Sequence, residues 1–226
     1  MQQDSLKKWE TANLSSNKQL EIFRELRRKA ESPMGVALTH VLLSLNQKNT
    51  QLNLRDFPEM LPNLCLAGMN FHLSGVDEKA RNWSGLNLSG VDFRVAYLEE
   101  VQFEKSQLGG TNLQNANLSR AKLQNADLWR ANLQHTNLSG AELQNADLRI
   151  CDLFGWEQLE QVKNGGLTGS KITEENFKDK IYPAWKAETD PEWEALTEGE
   201  RMTAMQKFHG ETGVCIYDKA RNQIIP

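Results

Sequence analysis

From Leu86 to Phe154 an apolar residue recurs at every fifth position. The central series is Leu88, Phe93, Leu98, Phe103, Leu108, Leu113, Leu118, Leu123, Leu128, Leu133, Leu138, Leu143, Leu148 and Leu153. Two residues before each centre stands a mostly small side chain: Leu86, Val91, Ala96, Val101, Ser106, Thr111, Ala116, Ala121, Ala126, Ala131, Thr136, Ala141, Ala146 and Cys151. A period of five fits neither regular element. On an α-helix the leucines would spiral around the surface, and on a flat strand they would alternate faces. Within each five, however, the two apolar positions are two apart, which is strand spacing. The chain must therefore turn a corner every five residues to bring the next pair inward. Ser, Gly, Asn, Gln and Arg are available for that corner, several of them good turn formers.

The quintets Ala116-Asn-Leu-Ser-Arg, Ala126-Asp-Leu-Trp-Arg, Ala131-Asn-Leu-Gln-His and Ala146-Asp-Leu-Arg-Ile carry a family resemblance. They are similar to the A(D/N)LXX consensus of pentapeptide-repeat proteins. The resemblance implies an all-β core, a right-handed quadrilateral β-helix with four quintets per coil. Extended backwards, the register gives Phe71/Leu73, Val76/Glu78 and Arg81/Trp83. Glu78 and Arg81 are poor inward residues, so the first coil is expected to be distorted or to carry a loop there.

An open coil exposes unpaired backbone, so each end needs a cap. Residues 5–48 read as helical, with Ser15 or Ser16 capping one helix, Pro33 breaking it and Val36 to Leu45 forming a second. After Phe154 a short helix is expected over Trp156 to Lys163. Weak repeats resume at Gly165/Leu167, Ser170/Ile172 and Glu175/Phe177. A further helix starting at Asp190-Pro191 would bury Trp193, Leu196, Met202, Met205 and Phe208 and stop near Gly210. Val214 to Tyr217 and Ile224-Ile225 are expected to form a small hairpin around Asp218 to Asn222. The expected organisation is a helical cap over 1–55, a β-helix over 56–178 and a C-terminal extension over 179–226. Within the β-helix the regular repeats are 71–154 and the weaker ones 165–178.

A twenty-residue coil stacks residues twenty apart on one face. One face then carries Ser89, Gly109, Trp129 and Arg149, with Gly90, Gly110, Arg130 and Ile150 alongside, and the next carries Phe154. Trp and Arg are enriched at binding hot spots, so Trp129, Arg130, Arg149 and Phe154 are the candidate partner-binding residues; the alternative has Trp129 lying against its own arginines. Asn125 and Asn145 are expected to form a stacking ladder.

Composition narrows the chemistry. The formal charge is −4, and by segment it is +2 for residues 1–70, −2 for 71–154 and −4 for the remainder. Neither the total nor any segment demands a charged partner. The three cysteines, Cys65, Cys151 and Cys215, have no metal-like spacing and suit reduced thiols. The four histidines are scattered, and no Walker, G-x-S-x-G or dinucleotide motif occurs. Cys215 with His209 is the sole nucleophile-and-base pairing worth naming, and no third group orients it. No enzyme activity, cofactor or metal is expected. No signal peptide, membrane span or direct nucleic-acid contact is expected either.

The expected function is therefore a rigid scaffold for a protein partner, with homodimerisation left open. The family resemblance implies two narrower readings. One is a secreted bacterial effector; the other is a DNA mimic that protects DNA gyrase, as fluoroquinolone-resistance members do. A net −2 rod interrupted by Arg120, Arg130 and Arg149 fits the mimic poorly. Localisation is expected to be cytoplasmic, or outside the cell by a route without a signal peptide.

Overall fold

The computed structural model describes residues 61–62, 65–72, 78–153, 155–162, 165–186, 190–218 and 223–225. The helices expected over 5–48 and the residue Phe154 lie outside these. The repeats form a parallel β-solenoid. Asp92 bridges Asn112, Asn112 bridges Asn132 and Asn132 bridges Asp152, each pair parallel and twenty residues apart. Each of these regular coils thus has four five-residue sides. The central leucines from Leu108 to Leu153 point inward and are at most 1% exposed, each contributing roughly 1.5–3 kcal/mol of gross burial energy.

One repeat, 126–130, shows why the pattern closes. Ala126 N–H donates to the Leu123 carbonyl at 3.0 Å, Asp127 N–H to Ser106 at 3.0 Å, Leu128 N–H to Asp147 at 2.9 Å and Arg130 N–H to Arg149 at 3.2 Å. The remaining amide, Trp129 N–H, donates to the Asp127 carboxylate at 3.0 Å. All five amides have partners, as buried backbone requires. The Asp or Asn before the central residue is therefore structural: its side chain serves the one amide that neighbouring coils do not reach. The same bond recurs at Asn70, Asn82, Asn87, Asp92, Asn112, Asn117, Asn132, Asn137 and Asp147, at 2.9–3.2 Å.

Each corner is a β-turn whose third residue has positive φ. Glycine suits it at Gly90, Gly110 and Gly140, but Arg130 (φ 61°), Val95 (59°) and Ile150 (60°) adopt the same conformation. Asn125 and Asn145 also occupy this left-handed corner. The side-chain rungs between coils form instead at Asn117–Asn137, 3.1 Å, and Gln114–Gln134, 3.4 Å.

The end coils depart from twenty residues. Cys65 bridges Asp92, twenty-seven residues on, whereas Asn82 bridges Gln102 after the usual twenty. Seven extra residues therefore lie between Phe71 and Trp83, where a 3₁₀ turn spans Glu78–Arg81. The loop expected in the first coil is therefore present and the register expected at Arg81/Trp83 holds, but that expected at Phe71/Leu73 is corrected. Phe71 N–H donates to Tyr97 just as Leu98 N–H does to Asn117, so Phe71 is a central residue, with Leu66 before it. Arg81 is nonetheless buried, its guanidinium donating to His72 Nδ1 at 2.6 Å. Phe71, Trp83, Phe93 and Phe103 fill this end with edge-to-face rings.

At the other end Asp147 bridges Lys171 after twenty-four residues, the surplus taken up by helix α1 (Trp156–Glu160). Leu167 and Ile172 then stand inward. The expected repeat at Glu175/Phe177 does not form. Thr173 caps a helical run instead, accepting from Asn176 N–H. This run comprises α2 (Glu174–Asn176), a π-helical stretch Phe177–Ile181 and α3 (Tyr182–Trp185).

The last long helix, α4 (Glu198–Thr212), begins later than Asp190-Pro191 suggests, because Thr197 and Glu200 form a reciprocal capping box. Trp193 and Leu196 are still buried, but ahead of the helix on a 3₁₀ turn, Trp193–Ala195. Gly213 closes α4 at φ 72°. Strand β1 (Lys171–Thr173) pairs in parallel with β2 (Cys215–Tyr217), which pairs antiparallel with β3 (Gln223–Ile225), giving the expected hairpin.

Candidate functional site

The side built on Leu108, Leu128 and Leu148 carries most of the candidate residues. Trp129 is half-buried and Arg130 exposed, with the Arg130 Cζ 4.1 Å from the Trp129 ring centroid. One coil further on, Ile150 occupies the same corner as Arg130 and is 47% exposed. Arg149 is drawn elsewhere. Its Nε donates to Asp147 Oδ1 at 2.8 Å and its Nη2 to Oδ2 at 2.5 Å, both side chains being 17% exposed. Its Cζ also lies 4.9 Å from the ring of Tyr217 on β2. Trp129 and Arg130 meet, Arg149 is held under the C-terminal hairpin, and Phe154 lies outside the described residues.

The Asp147–Arg149 pair has a definite electrostatic character. Burial works against the ionised Asp147, but this is outweighed by the bonds from the Arg149 side chain and amide and by nearby Lys171, so its carboxyl titrates below the usual range. The bond to Asp147 correspondingly raises Arg149. Other acids on the solenoid are also matched: Asp92 pairs with Arg94 at 2.6 Å, and Glu100 with Arg120 at 3.5 Å.

The cysteines are placed for packing. Burial pushes the Cys151 thiol far up, and its Sγ lies 2.9 Å from the Leu128 carbonyl. Burial also raises the Cys215 thiol, while His209 Nδ1 donates to the Val214 carbonyl at 2.9 Å. That bond commits the ring to the backbone, so the Cys215–His209 pairing gains no support. Among the described residues no group of His, Cys, Asp and Glu is arranged to hold a metal, and no helix is long and apolar enough to cross a membrane.

Three contributors were not singled out from sequence. Ile150 follows from its corner position, where a β-branched residue is out of place. Asp127 follows from the turn bond that fixes Trp129. The role of Tyr217 depends on the β1–β2 pairing across forty-four residues (171 to 215), and no local pattern announces it.

Four-sided coils, most of whose inward central residues follow an amide-serving Asn or Asp, define a β-solenoid of five-residue repeats. Residues 84–153 are pentapeptide repeats: the family model described as Pentapeptide repeats matches 84–115 and 116–153, in eight copies. Similar solved structures include a pentapeptide repeat protein of the Arabidopsis thaliana thylakoid lumen, at 18% identity and TM-score 0.27, covering 66% of this chain and 79% of that one. HetL, a pentapeptide repeat protein involved in heterocyst differentiation regulation from the cyanobacterium Nostoc, is 24% identical with TM-score 0.22, covering 48% and 62%. QnrB1, a plasmid-mediated fluoroquinolone resistance protein, is 15% identical with TM-score 0.33, covering 49% and 55%. The chain thus spans less than two thirds of the last two. A search of curated proteins finds no match.

Proposed function

We propose that this chain is a non-enzymatic scaffold that presents the Trp129–Arg130–Ile150 side of its solenoid to a protein partner. Pentapeptide repeat proteins are generally non-enzymatic scaffolds. The observation that carries the reading is Ile150. A β-branched residue held at φ 60° costs about 1–3 kcal/mol, and an apolar side chain left 47% exposed gains little in return. Such a residue beside a tryptophan and an arginine has the composition of a hot spot. A right-handed coil, a helical cap over the N-terminal residues and a division at about residue 178 belong to the same proposal, as does its narrower form, an exported bacterial effector.

The test is affinity capture from host lysate with mass spectrometry. Full-length protein is compared with Trp129→Ala and Ile150→Asn variants, and the affinity of the captured partner is then measured directly. Loss of the same partner in both variants is expected, and retention in both overturns the reading. The paired acids, with exposed Arg120 and Arg130, weigh against a DNA mimic. Inhibition of gyrase supercoiling by the purified protein would nevertheless replace the scaffold reading with that one.

A further inference from the structure

Residues 156–168 and the C-terminal extension together border a cleft of about 660 Å³, within the range of ligand sites. Its walls include Trp156, Leu159, Leu167 and Trp185, and Glu160 and Glu211 also line it. The two indoles pack on a common residue, Phe208, with ring centroids 5.6 and 5.4 Å away. Glu211 accepts the Trp185 Nε1–H at 3.1 Å, which holds a carboxylate at the edge of the indole. The last turn of α4, Gly210 to Gly213, completes the lining. None of the described lining residues is basic.

Three independent features of this cleft favour positive charge. Two carboxylates, Glu160 and Glu211, line it. The C-terminus of the fifteen-residue α4 adds the negative end of a helix dipole. Indole faces attract ammonium and guanidinium groups, and Lys207 Nζ already lies 5.3 Å from the Trp185 ring. Leu159, Val162 and Leu167 supply apolar surface for a methylene stem.

We propose that this cleft receives the arginine or lysine side chain of a basic peptide segment, its cationic head between the two indoles and the carboxylates of Glu160 and Glu211. The choice of a peptide over a free amine rests on the reading of the chain as a protein scaffold.

The full chain is titrated with acetyl-Ala-Ala-Arg-Ala-Ala-amide while the tryptophan indole N–H signals are followed by NMR, assigned through single Trp→Phe variants. Saturable movement of the Trp156 and Trp185 signals is expected, with Trp129 still. The same peptide with citrulline, a neutral isostere, in place of arginine should leave all three unmoved. Glu160→Gln should weaken binding roughly two- to fivefold, as for an exposed charge pair, and Glu160→Gln/Glu211→Gln should weaken it further. Gln at 211 keeps an acceptor for Trp185, and an unchanged Trp129 signal certifies the fold. Equal binding of the citrulline peptide, or stationary Trp156 and Trp185 signals, overturns the proposal. Agmatine binding more tightly than the peptide overturns the peptide as occupant. Failure here leaves the Trp129 side untouched, and failure of lysate capture at Trp129 leaves this titration unaffected.

Discussion

The regular coils and the C-terminal extension solve the same problem by opposite means. Between Thr111 and Leu153 the core is leucine, alanine and a few small residues, and the repeats reuse one set of backbone amide bonds, to which Asn or Asp adds a fifth in most. Beyond Gly155 the core is aromatic: Phe177 packs on Tyr182, Trp185, Trp193 and Phe208, with centroids 5.0–6.1 Å apart. Single-use bonds hold this cluster, such as Tyr182 Oη–H to the Pro191 carbonyl at 3.0 Å and Lys186 Nζ to Asp190 at 3.1 Å. A coil can rely on its neighbours for half its hydrogen bonds. The last coil has a neighbour on one side alone, so it needs large side chains that bury much area in few contacts.

Substitutions in the two regions should therefore fail differently. Phe177→Ala should cost about 3–5 kcal/mol and expose the extension while amides of coils 92–151 keep their hydrogen-exchange protection. Leu128→Ala should cost roughly 2–5 kcal/mol. Because coils stabilise one another, its loss of exchange protection should spread to the coils on either side. If both variants lost protection over the same amides, the distinction between the regions would collapse. Thr197→Ala removes the α4 cap and should cost about 1 kcal/mol, read as a lower denaturant midpoint with the solenoid unaffected. Ile150→Asn should do the reverse, raising stability by about 1 kcal/mol, because Asn tolerates the left-handed corner.

The smallest effect is pH-dependent and joins the regions. The carboxyl of Asp147 titrates below its unfolded value of about 3.9. Its ion pair with Arg149 therefore contributes fully above that value and is lost as pH falls through the folded one. Asp147→Asn keeps the turn acceptor but not the charge. Its stability deficit against wild type, measured by urea unfolding, should be present at pH 7 and shrink on acidification.

The sequence makes the solenoid legible because the rule that forms it is local. Five consecutive residues state which side chain goes in and which turns, fourteen repeats restate it, and most of them also name the residue that serves the spare amide. The ends obey no such rule. The seven residues inserted before Trp83 leave Arg81 at an inward position, yet their number is visible only in the Cys65–Asp92 and Asn70–Tyr97 bridges. Phe177 has the spacing of a repeat centre, but Thr173 starts a helix four residues earlier and overrides it. The candidate site divides the same way. Trp129 and Arg130 meet because the repeat places them, whereas Arg149 is claimed by Tyr217, whose strand arrives from another part of the chain.

The pairing of β2 with both β1 and β3 also bears on assembly. A stack of identical parallel rungs has no inherent length, and any uncovered last rung is a template for another molecule's first. Here β2 adds one more parallel rung, and β3 then runs antiparallel to it, a direction that solenoid coils do not continue. The hairpin is thus expected to oppose end-to-end pairing along the β1 edge. Deleting residues 214–226 should turn a discrete particle into one that joins end to end, visible as concentration-dependent growth in light scattering.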